Sequence, residues 1–210
     1  MIDVGWEADH VIRAQKFTRS DRIIAYTLKK LEKIGLKLDL VMAVREAQTP
    51  ITIADVDTSI AFAVMGEPEV EDVLETQPYR PNDALQRIRD GRLMFFAGKR
   101  GSQLVAGMWC DLDEFFSWAP PRKLSDDEVF LFGAYVIPEC RGQNVAPVLR
   151  SRCYSALKEM GRTKIYSCTD IWNAPARKFK SKLHSRNEAL FMTIDFFGLW
   201  KRSFTLRTYA

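Results

Sequence analysis

Between Ser20 and Ile34 the positions Ile23, Ile24, Thr27, Leu28, Leu31 and Ile34 recur every three to four residues, which predicts a helix with one buried stripe. Ser20 or Asp21 can cap its start and Gly35 can end it. Leu36 to Ala47 alternates as a strand does, and Pro50 breaks the chain. A strand is predicted over Ser59–Met65, followed by a helix that opens at Glu67-Pro68 with acidic residues in its first turn. Asn82-Asp83 can cap a further helix that ends at Gly91. Arg92–Gly98 and Gln103–Leu112 are predicted as a hairpin joined by Lys99-Arg100-Gly101-Ser102. Ala119-Pro120-Pro121 interrupts the chain. Val129–Ile137 is a nearly all-apolar run, as expected of a central strand covered on both faces.

Beyond it, Val145, Leu149, Cys153, Ala156, Leu157 and Met160 line one helical face, with Gly161 at the expected C-terminal cap. Thr163–Thr169 is the next strand, Ala174–Leu183 a short helix with Pro175 in its first turn, and Leu190–Phe197 with Trp200–Thr208 a closing hairpin. A strand, helix and strand in this succession imply parallel neighbours in one sheet. The pattern therefore predicts an α/β or α+β architecture, a mixed sheet with few helices. Residues 1–50 are expected to be a helical and extended arm or an extra layer rather than a second full domain, and residues 51–210 the main domain.

Composition narrows the class without naming a function. The chain has 210 residues, 47% hydrophobic and 28% charged, as an ordinary globule does. Its longest apolar runs, such as Ile60–Met65, are too short to span a bilayer, and the N-terminus lacks the basic start and apolar stretch of a signal peptide. A cytoplasmic protein without a membrane role is expected. The net charge of +4 suits a polyanionic small molecule as well as nucleic acid, but lacks the dense basic cluster of a nucleic-acid reader. Cys110, Cys140, Cys153 and Cys168 show no CxxC spacing, and His10 and His184 are far apart, so buried thiols rather than a metal site are expected.

The stretch Val136-Ile-Pro-Glu-Cys-Arg-Gly-Gln-Asn-Val-Ala-Pro-Val-Leu149 joins the all-apolar strand to the following helix. Pro138 cannot donate to a sheet ladder and ends the pairing. A helix start leaves N–H groups without intrahelical partners, and with the helix dipole these favour an anion. Gly142 permits close backbone approach, and Arg141 and Gln143 add donors. The same residues also serve a plain chain reversal. Neither a Walker loop nor a dinucleotide fingerprint is present, because the Gly-Lys-Ser/Thr and the three-glycine spacings are missing.

The run from Glu128 to His184 resembles the GNAT superfamily of acyl-CoA-dependent N-acyltransferases. In that family a strand ends at a bulge and is followed by an Arg/Gln-x-x-Gly-x-Gly/Ala loop, a helix ending in Gly, a strand and an Asn-x-x-Ala/Ser segment. Here these are Arg141-Gly142-Gln143-Asn144-Val145-Ala146, Gly161 and Asn173-Ala174-Pro175-Ala176. The resemblance covers residues 92–184, with weaker agreement from about 59 onward. Three positions depart from it. Asn144 replaces the second glycine, Lys180 stands where many members place the tyrosine that protonates the departing thiolate, and His184-Ser185 replaces Gly-Phe. Asparagine tolerates left-handed backbone, so the loop conformation is expected to survive.

The resemblance implies a largely antiparallel, twisted sheet with a central parallel pair flanked by helices. It implies acetyl-CoA or another acyl-CoA as donor and a primary amine on a small molecule as acceptor. A fatty acyl donor, with Phe191, Phe196, Phe197 and Phe204 lining a tunnel, and a CoA-binding module without turnover are the alternatives. Tyr135, Val136 and Ile137 would meet the pantetheine amides, and the N–H of Val136 or Ile137 the developing oxyanion. Arg141, Gly142, Gln143, Asn144, Val145 and Ala146 would hold the pyrophosphate, and Asn173, Ala176 and Phe179 the far side of the cofactor.

Glu128, at the head of the central strand, is the candidate base or an exposed charge in the run Asp126-Asp127-Glu128, and Asp111, Asp113 and Asp170 are lesser candidates or solvated edge charges. Tyr135 is a candidate proton donor or a core aromatic. Lys180 is a candidate catalytic residue, a ligand for a CoA phosphate or a substrate carboxylate, or a surface lysine. Trp109, Phe115, Phe116 and Trp118 either wall a substrate pocket or pack a core. Long terminal hairpins pair between subunits in this family, which makes a homodimer one expected assembly.

Overall fold

The computed structural model describes residues 26–28, 30–47, 57–74, 81, 83–117 and 120–209. Ser20, Asp21, Pro50, Asn82 and Trp118, which entered the sequence reading, lie outside them. Residues 26–28 and 30–33 are helical, in agreement with the apolar stripe that ends at Ile34. The elements that follow are β1 (Leu36–Glu46), β2 (Ile60–Met65), α1 (Glu67–Leu74), α2 (Ala84–Arg89), β3 (Leu93–Arg100), β4 (Gln103–Asp111), β5 (Glu114–Phe115) and β6 (Arg122–Lys123). Then come β7 (Glu128–Val136), α3 (Val145–Glu159), β8 (Lys164–Asp170), α4 (Ala174–Lys182), β9 (Arg186–Phe196) and β10 (Trp200–Thr208). No helix among the described residues is long and apolar enough to cross a membrane.

Eight strands form one sheet in the order β10-β9-β1-β8-β7-β4-β3-β2, and β5 with β6 makes a small separate ribbon. β7 and β8 run parallel. The other neighbours in the large sheet pair antiparallel. The mixed, largely antiparallel sheet with a central parallel pair is thus as the sequence implied.

Both faces of the centre are covered, which is why β7 is apolar from Val129 onward. On one face α3 lays Val145, Leu149, Cys153 and Leu157, spaced at helical period, against Val105, Val129, Leu131 and Ile165. On the other, Val70, Val73 and Ala84 of α1 and α2 pack on Leu93, Phe95 and Trp109. Farther along that sheet Phe115, Phe130, Tyr166 and Phe191 form an aromatic cluster.

Four expectations change. Residues 36–46 are not part of an arm: as β1 they are inserted between β8 and β9, pairing Val44 with Ser167 and Leu40 with Met192. The β3–β4 connection is only Gly101-Ser102, with Gly101 at φ 59°, because Lys99 and Arg100 still pair with β4. β9 begins at Arg186 rather than Leu190, extended by its pairing with Arg45 of β1. Asp111 is no solvated edge charge but fully buried, accepting two 2.7 Å hydrogen bonds from Arg87.

Candidate functional site

β7 and β8 pair only from Glu128–Lys164 to Leu131–Ser167. Past that point β7 continues through Phe132–Val136, and β8 continues along β1 to Asp170. The two strands part, and the free edge of β7 faces the gap. A bulge lies at the same place. Trp109 of β4 opposes Phe132 and Gly107 opposes Tyr135, so β7 carries one extra residue. Gly133, at φ 60°, supplies the left-handed turn that the bulge requires.

Register then settles which amides face the gap. The Ile137 N–H donates to Val105 O at 3.0 Å, so it points toward β4 and is already engaged. Antiparallel pairing alternates direction along a strand, and the Val136 N–H and C=O therefore point to the open edge. Of the two N–H groups considered, the Ile137 N–H is engaged by β4 and the Val136 N–H is the one turned to the open edge. The Val136 carbonyl accepts from Arg141 Nε at 3.0 Å, while the Arg141 guanidinium lies 5.7 Å from the centroid of the Tyr135 ring.

The loop after β7 begins with a single 3-10 turn, Pro138–Cys140, and turns through Gly142 at φ 79° and Asn144 at φ 59°. Asn144 thus occupies the left-handed conformation that its chemistry tolerates. Among the described residues none accepts a hydrogen bond from the N–H of Gly142, Gln143 or Asn144. These donors lead directly into the N-terminus of α3. There Pro147 removes one donor, and the Val148 N–H already bonds Asn144 O. The Gln143 side chain does not project as a donor toward the gap. Its Nε2 closes back on Glu139 O at 2.8 Å.

After β8, Asn173 caps α4 by accepting from the Ala176 N–H at 3.1 Å, which gives that residue a structural task of its own. Ala176 and Phe179 are half-buried along the same helix. His184 stands at φ 53°, where a glycine would be unstrained.

Lys180 is no surface lysine: it is 6% exposed, and its Nζ has no hydrogen-bond partner among the described residues. It lies within a buried polar cluster that β1, α3 and β8 complete. The Glu46 carboxylate accepts from Tyr154 Oη and Ser167 Oγ. It also meets Arg150 NH1 at 3.4 Å, a contact without hydrogen-bond geometry. Burial lowers the Lys180 pKa to about 8, with the Arg150 charge adding to the effect and Glu46 opposing it. Glu46 titrates below the usual carboxylate range: burial pushes it up, but Arg150, Lys180 and the two hydroxyl donors outweigh that. Cys168, near Lys180, is pushed up to about 12 by burial and so remains a thiol.

Glu128 is not at the gap. It starts β7, about 20 Å along the strand from Ala134 at roughly 3.3 Å per residue. There Arg122 grips it at 2.7 and 3.2 Å and the Ser125 N–H donates to it. Burial alone would raise its pKa, but these donors hold it below the usual range. Asp170 ends β8 beyond the point of parting; it is exposed and accepts from the Trp172 N–H at 2.6 Å, and desolvation of its carboxyl raises its pKa while that hydrogen bond opposes the rise.

Trp109 and Phe115 are wholly buried, and Phe115 stacks on Phe130 at 4.3 Å, so this aromatic group packs a core rather than lining a pocket. Phe191 belongs to the same core, whereas Phe196, Phe197 and Phe204 lie exposed on the terminal hairpin. These four do not converge on one tunnel. Sequence reading missed Gly133, although a lone glycine inside an apolar strand is itself a bulge signal. It also missed Glu46, Arg150, Tyr154 and Ser167, which come from three distant segments; only the four-residue spacing of Arg150 and Tyr154 on one helix face hinted at them.

The sequence pattern of the Acetyltransferase (GNAT) family matches residues 61–184. No curated protein sequence matches the chain. Among solved structures, a Drosophila protein superposes with a TM-score of 0.55 at 10% identity, over 82% of this chain and 57% of its own. A GNAT-family acetyltransferase from Colwellia psychrerythraea gives 0.53 at 14%, over 77% and 57%. A GNAT-family protein from Novosphingobium aromaticivorans gives 0.52 at 18%, over 77% and 66%. The chain therefore spans about two thirds or less of the lengths of these structures, and at such identities the likeness is one of fold.

Proposed function

Since the chain belongs to the GNAT acetyltransferase family, we propose that it transfers an acetyl or other short acyl group from acyl-CoA to a primary amine of a small molecule. The observation that carries this reading is the parting of β7 and β8 at the Gly133 bulge, directly before a loop whose N–H groups at Gly142, Gln143 and Asn144 are unspent. That combination fits a long, amide-bearing ligand ending in a diphosphate. The free edge at Val136 suits the pantetheine amides. The loop from Arg141 to Ala146 suits the pyrophosphate, with the orphan donors of the α3 N-terminus behind it.

Acyl-CoA supplies a thioester carbonyl as the electrophile. The Val136 N–H, aimed at the gap, is placed to hold the carbonyl oxygen as negative charge develops on it. Arg141 Nε donates to the Val136 carbonyl at 3.0 Å, so a pantetheine amide that bonds there has to displace it. Asp170, with its raised pKa, replaces Glu128 as the group that takes the amine proton. No obligatory acid is needed for the leaving group, because thiols ionise near pH 8.5. Lys180 can therefore remain a fixed positive charge beneath the gap, and Tyr135 a platform for the Arg141 guanidinium.

Acetyl-CoA at millimolar concentration is expected to raise the melting temperature and to slow hydrogen exchange across the 136–146 backbone. A melting temperature and exchange pattern identical with and without it would refute the reading. Thiol release with an amine panel separates turnover from binding alone. Palmitoyl-CoA run in parallel tests donor length, and the scattered positions of the four phenylalanines favour the short chain.

A further inference from the structure

Ser167 is the last residue of β8 that pairs with β7, and its hydroxyl holds Glu46. The buried polar cluster therefore lies behind the vertex at which the two strands separate. Four elements build it: Glu46 from β1, Arg150 and Tyr154 from α3, Ser167 from β8 and Lys180 from α4. Its charges do not balance. One carboxylate faces a guanidinium and an ammonium, which leaves one positive charge in excess.

The donors do not balance either. Among the described residues, Arg150 Nε and NH1 and Lys180 Nζ are buried without hydrogen-bond partners. Among the described residues, Glu46 is the one carboxylate that acts on Lys180. Leaving buried cations without hydrogen-bond partners is costly, and a chain that needed them only for structure would do better with apolar side chains. Water can satisfy the donors but not the charge. A single carboxylate satisfies both, since it brings one negative charge and two oxygens that accept from a guanidinium and an ammonium. A phosphate dianion would overshoot the balance.

We propose that Lys180 and Arg150 form a recognition site for a carboxylate carried by one of the two substrates. The proposal rests on the acyl-transfer reading and deepens it. The carboxylate belongs either to the far end of a dicarboxylic acyl donor or to an amino-acid acceptor whose amine is acylated. Glu46, held by Tyr154 and Ser167, is the positioning residue that fixes Arg150 and leaves Lys180 for the ligand.

Calorimetric titration of the whole chain tests this in two arms. In the first, succinyl-CoA is compared with acetyl-CoA. In the second, with CoA present, glycine, β-alanine and glutamate are compared with their amides. A preference of roughly tenfold or more for the carboxylate is expected in one arm, as for one charge-assisted hydrogen-bonded pair. It is expected to vanish in Lys180→Met and in Lys180→Gln. A preference in the donor arm identifies the acyl group as its source, and one in the acceptor arm the amine.

Equal affinities in both arms, or a preference that survives both substitutions, overturn the proposal. If acetyl-CoA and succinyl-CoA bind equally well, with no preference in the second arm, the transferase reading stands and the carboxylate site falls. If no CoA compound binds, both fall.

Discussion

Lys180 carries its consequence in its titration. Its folded pKa of about 8 lies below the unfolded value near 10.5, so the unfolded chain holds that proton more tightly. Between those two values the unfolded state binds more protons, and stability rises with pH. Below pH 8 both states are protonated and the full penalty applies; above 10.5 it is gone. Lys180→Met is accordingly expected to stabilise the free protein at pH 7 by up to about 3 kcal/mol, and to lose that advantage on approaching pH 10.5. Urea unfolding of both proteins at pH 7 and pH 10 measures the gap, and a gap independent of pH contradicts the assignment. Little of this was legible beforehand. Lys180 sits in the run Arg177-Lys178-Phe179-Lys180-Ser181-Lys182, and nothing local marks which cation turns inward.

At the scale of elements, β7 is informative because its conformation changes partway along. Its apolar run predicted a central strand, and the bulge at Gly133 re-aims the backbone so that Val136 presents N–H and C=O to the gap. Gly133→Val forces a branched side chain into left-handed backbone, at a cost of about 1–2 kcal/mol, or removes the bulge. Either way the acetyl-CoA affinity is expected to fall at least tenfold, read as a smaller ligand-induced rise in melting temperature, while the circular dichroism stays native. Asn144→Gly serves as its counterpart. It keeps φ 59° without strain and is expected to bind as the parent does. A normal ligand response in Gly133→Val would remove the bulge from the site. The α3 stripe, the cap at Gly161 and the left-handed Asn144 were all readable locally, since each is encoded by residues within a turn or two.

For the whole molecule the decisive feature is where β1 goes. It closes the sheet between β8 and β9, so residues 36–46 meet partners more than a hundred positions away in the chain. It also brings Glu46 under the gap. Removing residues 1–50 would expose the facing edges of β8 and β9 and leave Arg150 and Lys180 without their counter-charge. The shortened chain is expected to be aggregated or unfolded by size-exclusion chromatography and circular dichroism. A soluble, cooperative 51–210 fragment would restore the division into an arm and an independent domain.

Periodicity and turn chemistry determined, from the amino acids alone, that this chain builds a mixed sheet with a parallel pair and a donor-rich loop before a helix, because those signals are short-ranged. Three matters were decided only by the tertiary structure: the course of β1, the distance of Glu128 from the gap, and the burial of Lys180 beside Arg150 and Glu46. The physical reason is common to them. Strand order, and the electrostatic environment it creates, depends on pairings between remote segments, and a strand carries the same alternation whether it ends up at an edge, in an arm or in the middle of a sheet.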